Sequence, residues 1–581
     1  MKIFRLLLFF LFGSIITYTS AQIKWYNPLE ASFPVVRGRW WQEELKDNYQ
    51  RLPERIKEKV SKNVSSLSTQ SAGLSVVFRS NSPEIRVRYT VGGGYSMAHM
   101  PATGVTGVDL YSTDANGELR WCAAKYAFGD TITYTYRSLT VKAADKKWGY
   151  EYRLYLPPYN SVKWMEIGVP DSSSFQFLPV SLERPLVVYG TSIAQGACAS
   201  RPGMMWSNII ERETEHPVIN LGFSGNGRLE TPVFQALTEI DAKLYIIDCM
   251  PNLTGKDTAL IYKRTIEGVQ TLRAKSEAPI LLVEHCGYMN DGTSEERGNA
   301  WKSANRQLKR AYLELEKQGV KDIYYLTKEE IGFTSDSQVE GVHSNDLGMR
   351  QYADAYIHKI DSILQEGDEP AIFKARTQQR DSYDWFKRHE EVLKLNKEEH
   401  PEILMIGNSI THYWGGKPAA RADGVKSWNK LFKGKVVHNL GFGWDCIENV
   451  LWRIYHGELD GFQAKKIFMM VGTNNLYKNT NDEIITGIET IAKAVRLRQP
   501  TAKIYIIGIL PRVGKEERIT MLNQTLQKAL QTYPFVSFVD VSGGLISADG
   551  KIKTDLFRDG LHPNEKGYEQ IVKVLKPLVQ K

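Results

Sequence analysis

Two serines in this 581-residue chain stand where a nucleophile is expected. Ser192 and Ser409 each follow a short apolar run, and a histidine comes 151 and 153 residues later, at His343 and His562. A serine hydroxyl attacks a carbonyl only when a base takes its proton, and histidine can do so at neutral pH. A lone serine after a strand is more often a helix cap. The same arrangement in two copies favours acyl transfer.

An acidic residue lies three positions before each histidine, Glu340 in E-G-V-H and Asp559 in D-G-L-H. On one tight loop, such a carboxylate can reach the histidine nitrogen that faces away from the serine. There it sets the tautomer and stabilises the imidazolium that forms during attack. Because glutamate is one methylene longer than aspartate, the loop around Glu340 must adjust. An isolated acid-x-x-His pair could equally be a surface ion pair. The interpretation as a catalytic pair therefore depends on the occurrence of the motif in both copies.

Glycines and asparagines at matching positions complete each set. Gly222 and Gly441 stand in N-L-G-F motifs, and Asn252 and Asn474 follow the next buried strand. A glycine N–H can approach a substrate with no Cβ in the way, and an asparagine side chain adds a second N–H. With the amide of the serine itself, these groups predict an oxyanion hole in each unit. The alternative roles are a tight turn for each glycine and a loop cap for each asparagine.

Buried strands must position these residues, and the chain supplies a set of strands twice. Alternation of apolar runs with helical segments predicts a parallel sheet covered on both faces, with its ligand at the carboxyl ends of the strands. Both serines would lie at that edge. The pattern indicates an internal duplication of units of roughly 200 residues. The apolar runs are 186–189, 244–247 and 280–283 in the first copy, and 403–406, 466–471 and 504–507 in the second.

The region before the first copy is predicted to be rich in β-strands. Short alternating segments such as 75–79, 85–89 and 131–136 are separated by turn residues, which is typical of a β-sandwich or jelly roll. Residues 42–65 are charged and could hold a helix. We expect a β-sandwich module at 22–178, a first α/β unit at 179–365, and a linker helix with a second α/β unit at 366–581.

Composition is that of a globular protein, with 42% hydrophobic and 24% charged residues. The 74 basic and 66 acidic residues form no dense basic block, so we expect no nucleic-acid partner. The five cysteines include no C-x-x-C pair, and no histidine cluster has the spacing of metal ligands. We therefore expect neither a metal nor another cofactor, and the oligomeric state stays open.

The first 21 residues have the pattern of a secretory signal. A positively charged start precedes an apolar stretch at 6–16, and the small residues up to Ala21 fit the rule for cleavage. A membrane anchor is the alternative, but the stretch is short for a span and ends in small polar residues. We expect a secreted or periplasmic protein, cleaved after Ala21, with no membrane span in the mature chain.

The motifs G-x-S, a lone glycine, G-x-N and D-x-x-H together resemble the four sequence blocks of the SGNH (GDSL-type) hydrolase family. The resemblance covers about residues 180–365 and 374–581. It implies a flavodoxin-like three-layer α/β/α fold for each unit. It also implies that the two serines are nucleophiles and that both glycines and both asparagines line oxyanion holes.

Some residues depart from the family pattern. Thr191 and Asn408 stand where the family has the aspartate of G-D-S, which is outside the triad. Glu340 replaces the usual aspartate before the histidine, and Asn475 replaces the aspartate of G-x-N-D. None of these changes removes a nucleophile or a base.

The two units resemble different branches of that family. The second, with I-G-N-S-I-T-H-Y-W, V-G-T-N-N and D-G-L-H-P-N, is similar to the branch related to the platelet-activating-factor acetylhydrolase catalytic subunits. The first, with G-T-S-I-A-Q-G and D-C-M-P-N, is similar to a bacterial branch whose amino-terminal β-module carries G-x-D-L-Y, found here at 107–111. The resemblance implies an exported serine esterase that removes O-acetyl groups from hemicellulose such as xylan, xyloglucan or mannan.

Two other functions stay open. A lipase or phospholipid acylhydrolase is less favoured, since no long apolar lid segment stands next to either serine. A carbohydrate-binding protein with one or both hydrolase units inactive is disfavoured, since neither copy has lost a catalytic position. Trp40, Trp41 and Trp121 could offer aromatic platforms to a sugar, although a place in the core is the simpler role. We expect both units to be active, on different acetyl positions or polymers.

Overall fold

The computed structural model describes residues 22–142, 149–378, 382–418 and 421–580. The predicted signal sequence, with its cleavage after Ala21, lies outside these residues. Within the described parts of the chain, no helix combines the length and the apolar character needed to cross a membrane.

The amino-terminal region consists of two antiparallel sheets around one core. Strand Glu84–Val91 alternates between buried and half-buried residues, so one face packs inward. Phe78 of one sheet and Ile85 of the other belong to the same core, as a β-sandwich requires. In spatial order, the first sheet contains Ile23–Tyr26, Val162–Pro170, Glu84–Val91, Ile132–Arg137 and Ala124–Ala127. The second contains Phe175–Phe177, Ser75–Ser80, Tyr150–Tyr155, Asp109–Thr113 and Leu119–Cys122, with Val36–Arg37 beside Ser75–Ser80.

The charged segment at 42–65 holds two short helices instead of one longer helix, Glu54–Lys57 and Lys62–Leu67. Most apolar residues of this segment pack against the helical layer of the first α/β unit, whereas Tyr49 packs into the core of the sandwich. The segment therefore connects the two bodies physically, although it precedes most of the sandwich strands in the chain.

The first α/β unit contains a five-stranded parallel sheet with helices on both faces. Leu186 and Val188 point into one core and Val187 and Tyr189 into the other, which explains why this strand is apolar throughout. The strands, in spatial order, are Val218–Gly222, Leu186–Gly190, Leu244–Asp248, Ile280–Val283 and Ile323–Leu326. The longer helices are Trp206–Thr214, Thr231–Leu237, Ile261–Arg273, Glu295–Lys317 and Asp346–Leu364, and the short ones are Ala102–Val105 before the unit and Ser192–Gln195 and Lys328–Ile331 within it.

The second α/β unit repeats this sheet with the same strand order. Its strands are Val437–Gly441, Ile403–Gly407, Lys466–Met470, Lys503–Ile507 and Val536–Val539. Its helices are Trp385–Glu398, Ser409–His412, Val425–Leu431, Ile447–Arg453, Asn481–Arg498, Glu516–Leu530 and Glu565–Gln580. In both units the second strand lies beside the first and the third lies on the other side, which is the 2-1-3-4-5 order of flavodoxin-like sheets. The predicted fold class is confirmed.

The G-x-D-L-Y motif attaches the β-sandwich to the first α/β unit. Asp109 is buried, pairs with Arg201, and accepts a hydrogen bond of 3.0 Å from the backbone N–H of Gly203. Arg201 also donates to the hydroxyl of Tyr111 at 2.7 Å. Gly203 is required there, because a Cβ would lie 2.3 Å from the Asp109 carboxylate. The motif is thus a docking contact.

Candidate active sites

Each serine opens a short helix at the carboxyl end of the first strand of its sheet. Ser192 begins the helix Ser192–Gln195, and the residue before it, Thr191, caps the helix by accepting from the N–H of Ile193. Asn408 does the same in the second unit, accepting from Ile410 at 3.0 Å. Since the preceding residue provides the cap, the serine hydroxyl is free for other partners. This is the role of the variable residue in G-x-S.

In the first unit, the three predicted triad side chains form one hydrogen-bonded chain. Ser192 Oγ lies 2.9 Å from His343 Nε2, and His343 Nδ1 lies 2.5 Å from Glu340 Oε1. The loop closes through a bond of 2.8 Å from the N–H of Val339 to the carbonyl of His343. Gly341 allows this turn with a left-handed φ of +81°. The longer glutamate therefore reaches its histidine.

The second unit has the same hydrogen-bonded Ser–His–carboxylate arrangement, and its carboxylate accepts more hydrogen bonds. Ser409 Oγ lies 2.9 Å from His562 Nε2, and Asp559 Oδ2 lies 2.7 Å from His562 Nδ1. Burial would raise the pKa of Asp559, but hydrogen bonds from the backbone and ring of His562 and from Arg558 outweigh it and hold that pKa well below its usual range. Burial lowers the pKa of His562, with Asp559 opposing. The base thus stays neutral at pH values where an ordinary histidine begins to charge.

The structure corrects the oxyanion role predicted for Gly222 and Gly441. Each amide N–H donates at 2.8 Å to the side-chain oxygen of the asparagine two residues earlier, Asn220 or Asn439. These N–H groups are already bonded at the strand end, so they are not free to donate to an oxyanion. The glycines serve close packing instead, because a Cβ on Gly222 would lie 2.4 Å from the backbone nitrogen of Gln195.

Asn252 and Asn474 lie at the same edge of their sheets, half-buried beside the turn that follows N-L-G-F. Asn252 Oδ1 accepts from the N–H of Gly227 at 3.0 Å, which leaves its Nδ2 as the donor end. Asn474 Nδ2 donates one hydrogen to the carbonyl of Asp445 at 2.9 Å and has a second hydrogen to offer. Together with the serine amide at the helix start, these groups can donate to an oxyanion.

The turn beside each asparagine is held by the side chain three residues after the serine. Gln195 Oε1 accepts from the N–H of Ser224 at 2.9 Å, and His412 Nδ1 accepts from the N–H of Gly443 at 3.1 Å. Burial, with Arg388 and Arg453 nearby, lowers the pKa of His412 to about 2. A neutral imidazole can accept this hydrogen bond, as the carboxamide of Gln195 does. Sequence reasoning missed both residues.

A buried arginine from a segment that precedes each parallel sheet binds the carbonyls of the same turn. Arg51 Nη1 donates to the carbonyls of Gly222 and Asn220 at 2.7 and 3.2 Å. In the second unit, Arg388 donates to the carbonyls of Gly441 and Asn439 at 2.8 and 2.9 Å. Burial lowers the pKa of Arg51 to about 9 and that of Arg388 to about 10, so both remain cations at neutral pH. No local sequence signal pairs either arginine with its turn.

The β-sandwich also contacts the first catalytic site. The hydroxyl of Tyr159 donates to the carbonyl of Ser192 at 3.1 Å, and the ring of His99 stacks on that of His343 with 5.6 Å between centroids. His99, Cys198 and His343 each place a potential metal ligand within 4.8 Å of the others. Both nitrogens of His343 already bind triad partners, so a metal there would compete with the triad.

The tryptophans considered as sugar platforms have different environments. Trp41 is buried and Trp40 is partly buried against the core shared with the first unit. Trp121 is half exposed on an edge strand, and its Nε1 donates to Asp109 at 2.7 Å. The first two therefore have core roles, and Trp121 supports the docking contact.

Comparison with sequence families finds related domains along the chain. The GDSL-like Lipase/Acylhydrolase family matches residues 183–361 and, through a second model of the same description, residues 405–570. Residues 23–175 match a family described as the N-terminus of Esterase_SGNH_hydro-type.

Individual relatives agree with these matches. The chain is similar to the alpha2 subunit of platelet-activating factor acetylhydrolase IB from Rattus norvegicus, with 33% identity over 199 residues, 34% of this chain and 83% of the relative. The alpha1 subunit from the same organism is 30% identical over 221 residues, 37% of this chain and 90% of the relative. A solved structure from Bacteroides ovatus ATCC 8483, described as a GDSL-like lipase, is 29% identical with a TM-score of 0.54, covering 59% of this chain and 98% of that chain.

Proposed function

Since this chain belongs to the GDSL-like lipase/acylhydrolase family and is an esterase, we propose that it is exported and removes O-acetyl groups from a polysaccharide such as xylan, xyloglucan or mannan. The observation that carries the proposal is that both Ser–His–carboxylate chains are formed at open loops, with the side chains of Glu340 and Asp559 38% and 42% exposed. A bulky polymer can reach a site of this kind from outside. The name of the mammalian relatives, acetylhydrolase, supports a small acyl group.

The geometry accounts for the proposed reaction in each unit. The histidine Nε2 takes the proton of the serine Oγ as this oxygen attacks the acetyl carbonyl carbon, and the carbonyl electrons move to the oxygen. The serine amide and Asn252 or Asn474 donate to that oxyanion. Collapse expels the sugar oxygen, which takes the proton from Nε2. Water then attacks the acetyl-serine, gives a proton to Nε2, and releases acetate while the proton returns to Oγ.

The experiment compares S192A, S409A and the double variant on esters of different acyl length and on acetylated polysaccharide fragments. We expect activity on p-nitrophenyl acetate and release of acetate from at least one fragment, measured by mass spectrometry. Each single variant should lose activity on one substrate and keep activity on another. In the double variant, turnover should fall by a factor of about 10³ or more. Full activity in the double variant would refute the site assignment.

A second candidate is a lipid esterase, which the description of the Bacteroides ovatus structure favours. It predicts a preference for p-nitrophenyl esters of long acyl chains, or hydrolysis of platelet-activating factor itself. Preference for acetate, with no turnover of platelet-activating factor, supports the polysaccharide proposal. Export is tested by sequencing the amino terminus of the mature protein, which should begin at Gln22.

A further inference from the structure

The two catalytic sites differ at one turn in a way that the motifs do not show. After N-L-G-F, the first unit continues with Ser224 and Gly225, and the second with Gly443 and Trp444. Gly225 and Trp444 have the same backbone conformation, with φ of +69° and +68°. That left-handed region suits glycine and is strained for a side chain with a Cβ. The second unit therefore keeps a tryptophan where the equivalent residue is glycine, against a steric penalty.

A second position shows the same difference. Gly255 lies three residues after Asn252, with φ of +62° and open space where a Cβ would be. The residue three after Asn474 is Tyr477, whose side chain is 63% exposed. Trp444 is 56% exposed. Large aromatic side chains with this exposure bury little apolar surface within the chain, so folding does not explain them.

Both aromatic residues lie at the mouth of the Ser409 site. Trp444 directly follows Gly443, whose amide is held by the histidine three residues after Ser409. The turn of Trp444 and the loop of Tyr477 touch each other, because Asn474 Nδ2 donates to the carbonyl of Asp445 at 2.9 Å. The turn and the loop that carry the two rings thus meet at the segment that offers the oxyanion donor.

Two cationic groups lie over the ring of Tyr477. The guanidinium of Arg512 and the ammonium of Lys515 lie 4.8 and 5.1 Å from the centroid of the Tyr477 ring. Lys478 Nζ lies 3.4 Å from Cys446 Sγ, at the contact between the two loops. A surface for acyl chains would be continuous and apolar, whereas this one combines the exposed indole of Trp444 with cationic hydrogen-bond donors over the ring of Tyr477. Such a combination suits a sugar ring, which has C–H faces and a hydroxyl edge.

We propose that Trp444 and Tyr477 form an aromatic platform that binds a pyranose ring of the acetylated polysaccharide beside Ser409, and that the first unit lacks this platform. The inference rests on the proposed function and gives the second unit its substrate preference. The exposed ring of Trp444 packs on the C–H face of the sugar, and Arg512 and Lys515, which lie over the ring of Tyr477, donate to its hydroxyls. The first unit has Gly225 at the matching turn and the β-sandwich, through His99, beside its triad.

The test uses S192A, so that only the second unit turns over substrate. In that background, W444G introduces the residue found in the first unit and relieves the strained backbone, so it should fold. Y477A and the combination W444G/Y477A complete the series. Y126A removes an aromatic side chain of similar exposure, 54%, on a strand of the β-sandwich and serves as the matched control.

We expect W444G/Y477A to raise KM for an acetylated xylo-oligosaccharide at least tenfold more than it raises KM for p-nitrophenyl acetate. Y126A should leave the KM for both substrates unchanged. In the S192A/S409A protein, which cannot turn over substrate, titration calorimetry with unacetylated xylohexaose should show binding that W444G/Y477A weakens at least tenfold.

Three results would overturn the platform. The first is an unchanged KM for the acetylated saccharide in W444G/Y477A. The second is an equal rise of KM for the saccharide and for p-nitrophenyl acetate. In the third, the S192A/S409A protein binds phosphatidylcholine vesicles and W444G/Y477A abolishes this binding, which would assign the rings to a lipid surface. Failure of the proposed function looks different: p-nitrophenyl acetate is hydrolysed, but no acetylated saccharide is a substrate and xylohexaose does not bind.

Discussion

At the scale of single residues, each catalytic site divides its tasks among neighbours in a short segment. The residue before the serine caps the helix, the serine faces the histidine, and the third residue after it holds the turn beside the oxyanion donor. Gln195 and His412 perform this last task with different chemistry. Both offer one acceptor to a backbone N–H, which requires His412 to be neutral, and its pKa of about 2 ensures that.

Replacing His412 tests this equivalence. We expect H412Q to retain most of the activity of the second unit, because a glutamine can accept from the Gly443 N–H as Gln195 accepts from Ser224. H412A should lower kcat about tenfold to a hundredfold, somewhat less than loss of a whole oxyanion donor. Turnover of p-nitrophenyl acetate in the S192A background measures both. Equal impairment of H412Q and H412A would contradict the role.

At the scale of elements, each α/β unit is completed by a segment that precedes its sheet. The segment that carries Arg51 and the linker helix that carries Arg388 both bind the carbonyls of the N-L-G turn. The guanidinium suits this place, since several donors in one plane reach several carbonyls. A buried carbonyl without such a partner would be destabilised, and the turn beside the oxyanion donor would lose its anchor.

Substitution of the two arginines should therefore affect one unit each. We expect R51M in the S409A background, and R388M in the S192A background, to lower kcat tenfold or more with a smaller change in KM. Lysine at either position should restore activity only in part. R39M provides the control, because Arg39 is also buried in the amino-terminal region and binds a backbone carbonyl, that of Asn48, away from both turns.

Comparing kcat with thermal stability distinguishes an arginine that positions the turn from one that only stabilises the fold. Thermal unfolding of each variant is recorded with its kinetics. If R39M lowers kcat as much as R51M at the same loss of stability, the arginines act only on folding and the positioning role is wrong.

At the scale of the whole molecule, a buried ionic cluster joins the first α/β unit to the linker and the second unit. His216 bridges Glu183 and Glu366 at 2.7 and 2.8 Å, and Glu183 also binds His456 of the second unit at 2.9 Å. Lys243 lies 3.1 Å from Glu183, so an ammonium already fills the space that a metal held by Glu183, His216 and His456 would need. A cavity of about 570 Å³ adjoins the cluster, lined by all three bodies and by none of the triad residues.

The cluster makes the stability of this junction depend on pH. Burial would raise the pKa of Glu366, but Lys243 and His216 outweigh it and lower the pKa to about 2. Its contribution is therefore present above 4.5 and is lost as pH falls from 4.5 towards 2. Burial and Lys243 oppose a charge on His216, yet Glu366 and Glu183 raise its pKa above 6.5. That contribution is lost at higher pH. His456 acts in the opposite direction, because burial lowers its pKa to about 4 and keeping it neutral costs stability as the pH falls from 6.5 towards 4.

Glu366→Gln tests this linkage. At pH 6 we expect a loss of roughly 3–5 kcal/mol in unfolding free energy, because Arg498 loses its carboxylate partner in a buried place and Lys243 and His216 each lose one of their two. The difference from the parent protein should shrink as the pH falls towards 2. Glu398→Gln breaks an exposed pair with Lys394 and should cost less than about 1 kcal/mol. Calorimetry at several pH values measures this, and a difference that does not change with pH would contradict the linkage.

Much of the fold and of the triads could be predicted from the sequence, because those features depend on residues close together in the chain. Apolar runs such as 186–189 identify buried strands, and the serine that follows must lie at the end of the sheet. An acid three residues before a histidine reaches it through one turn, as Glu340 and Asp559 do. The duplication was visible because both copies keep these short motifs.

Only the tertiary structure decided which distant groups meet. The glycines of N-L-G-F were expected to bind an oxyanion, but their N–H groups bond within the strand end. Arg51 finds its carbonyls 169 and 171 residues away, and no local pattern encodes that distance. Hydrogen-bond partners of this kind follow from how packed elements are placed relative to each other. The sequence by itself thus determined two hydrolase sites, and the packing around them determined how each is held and how they differ.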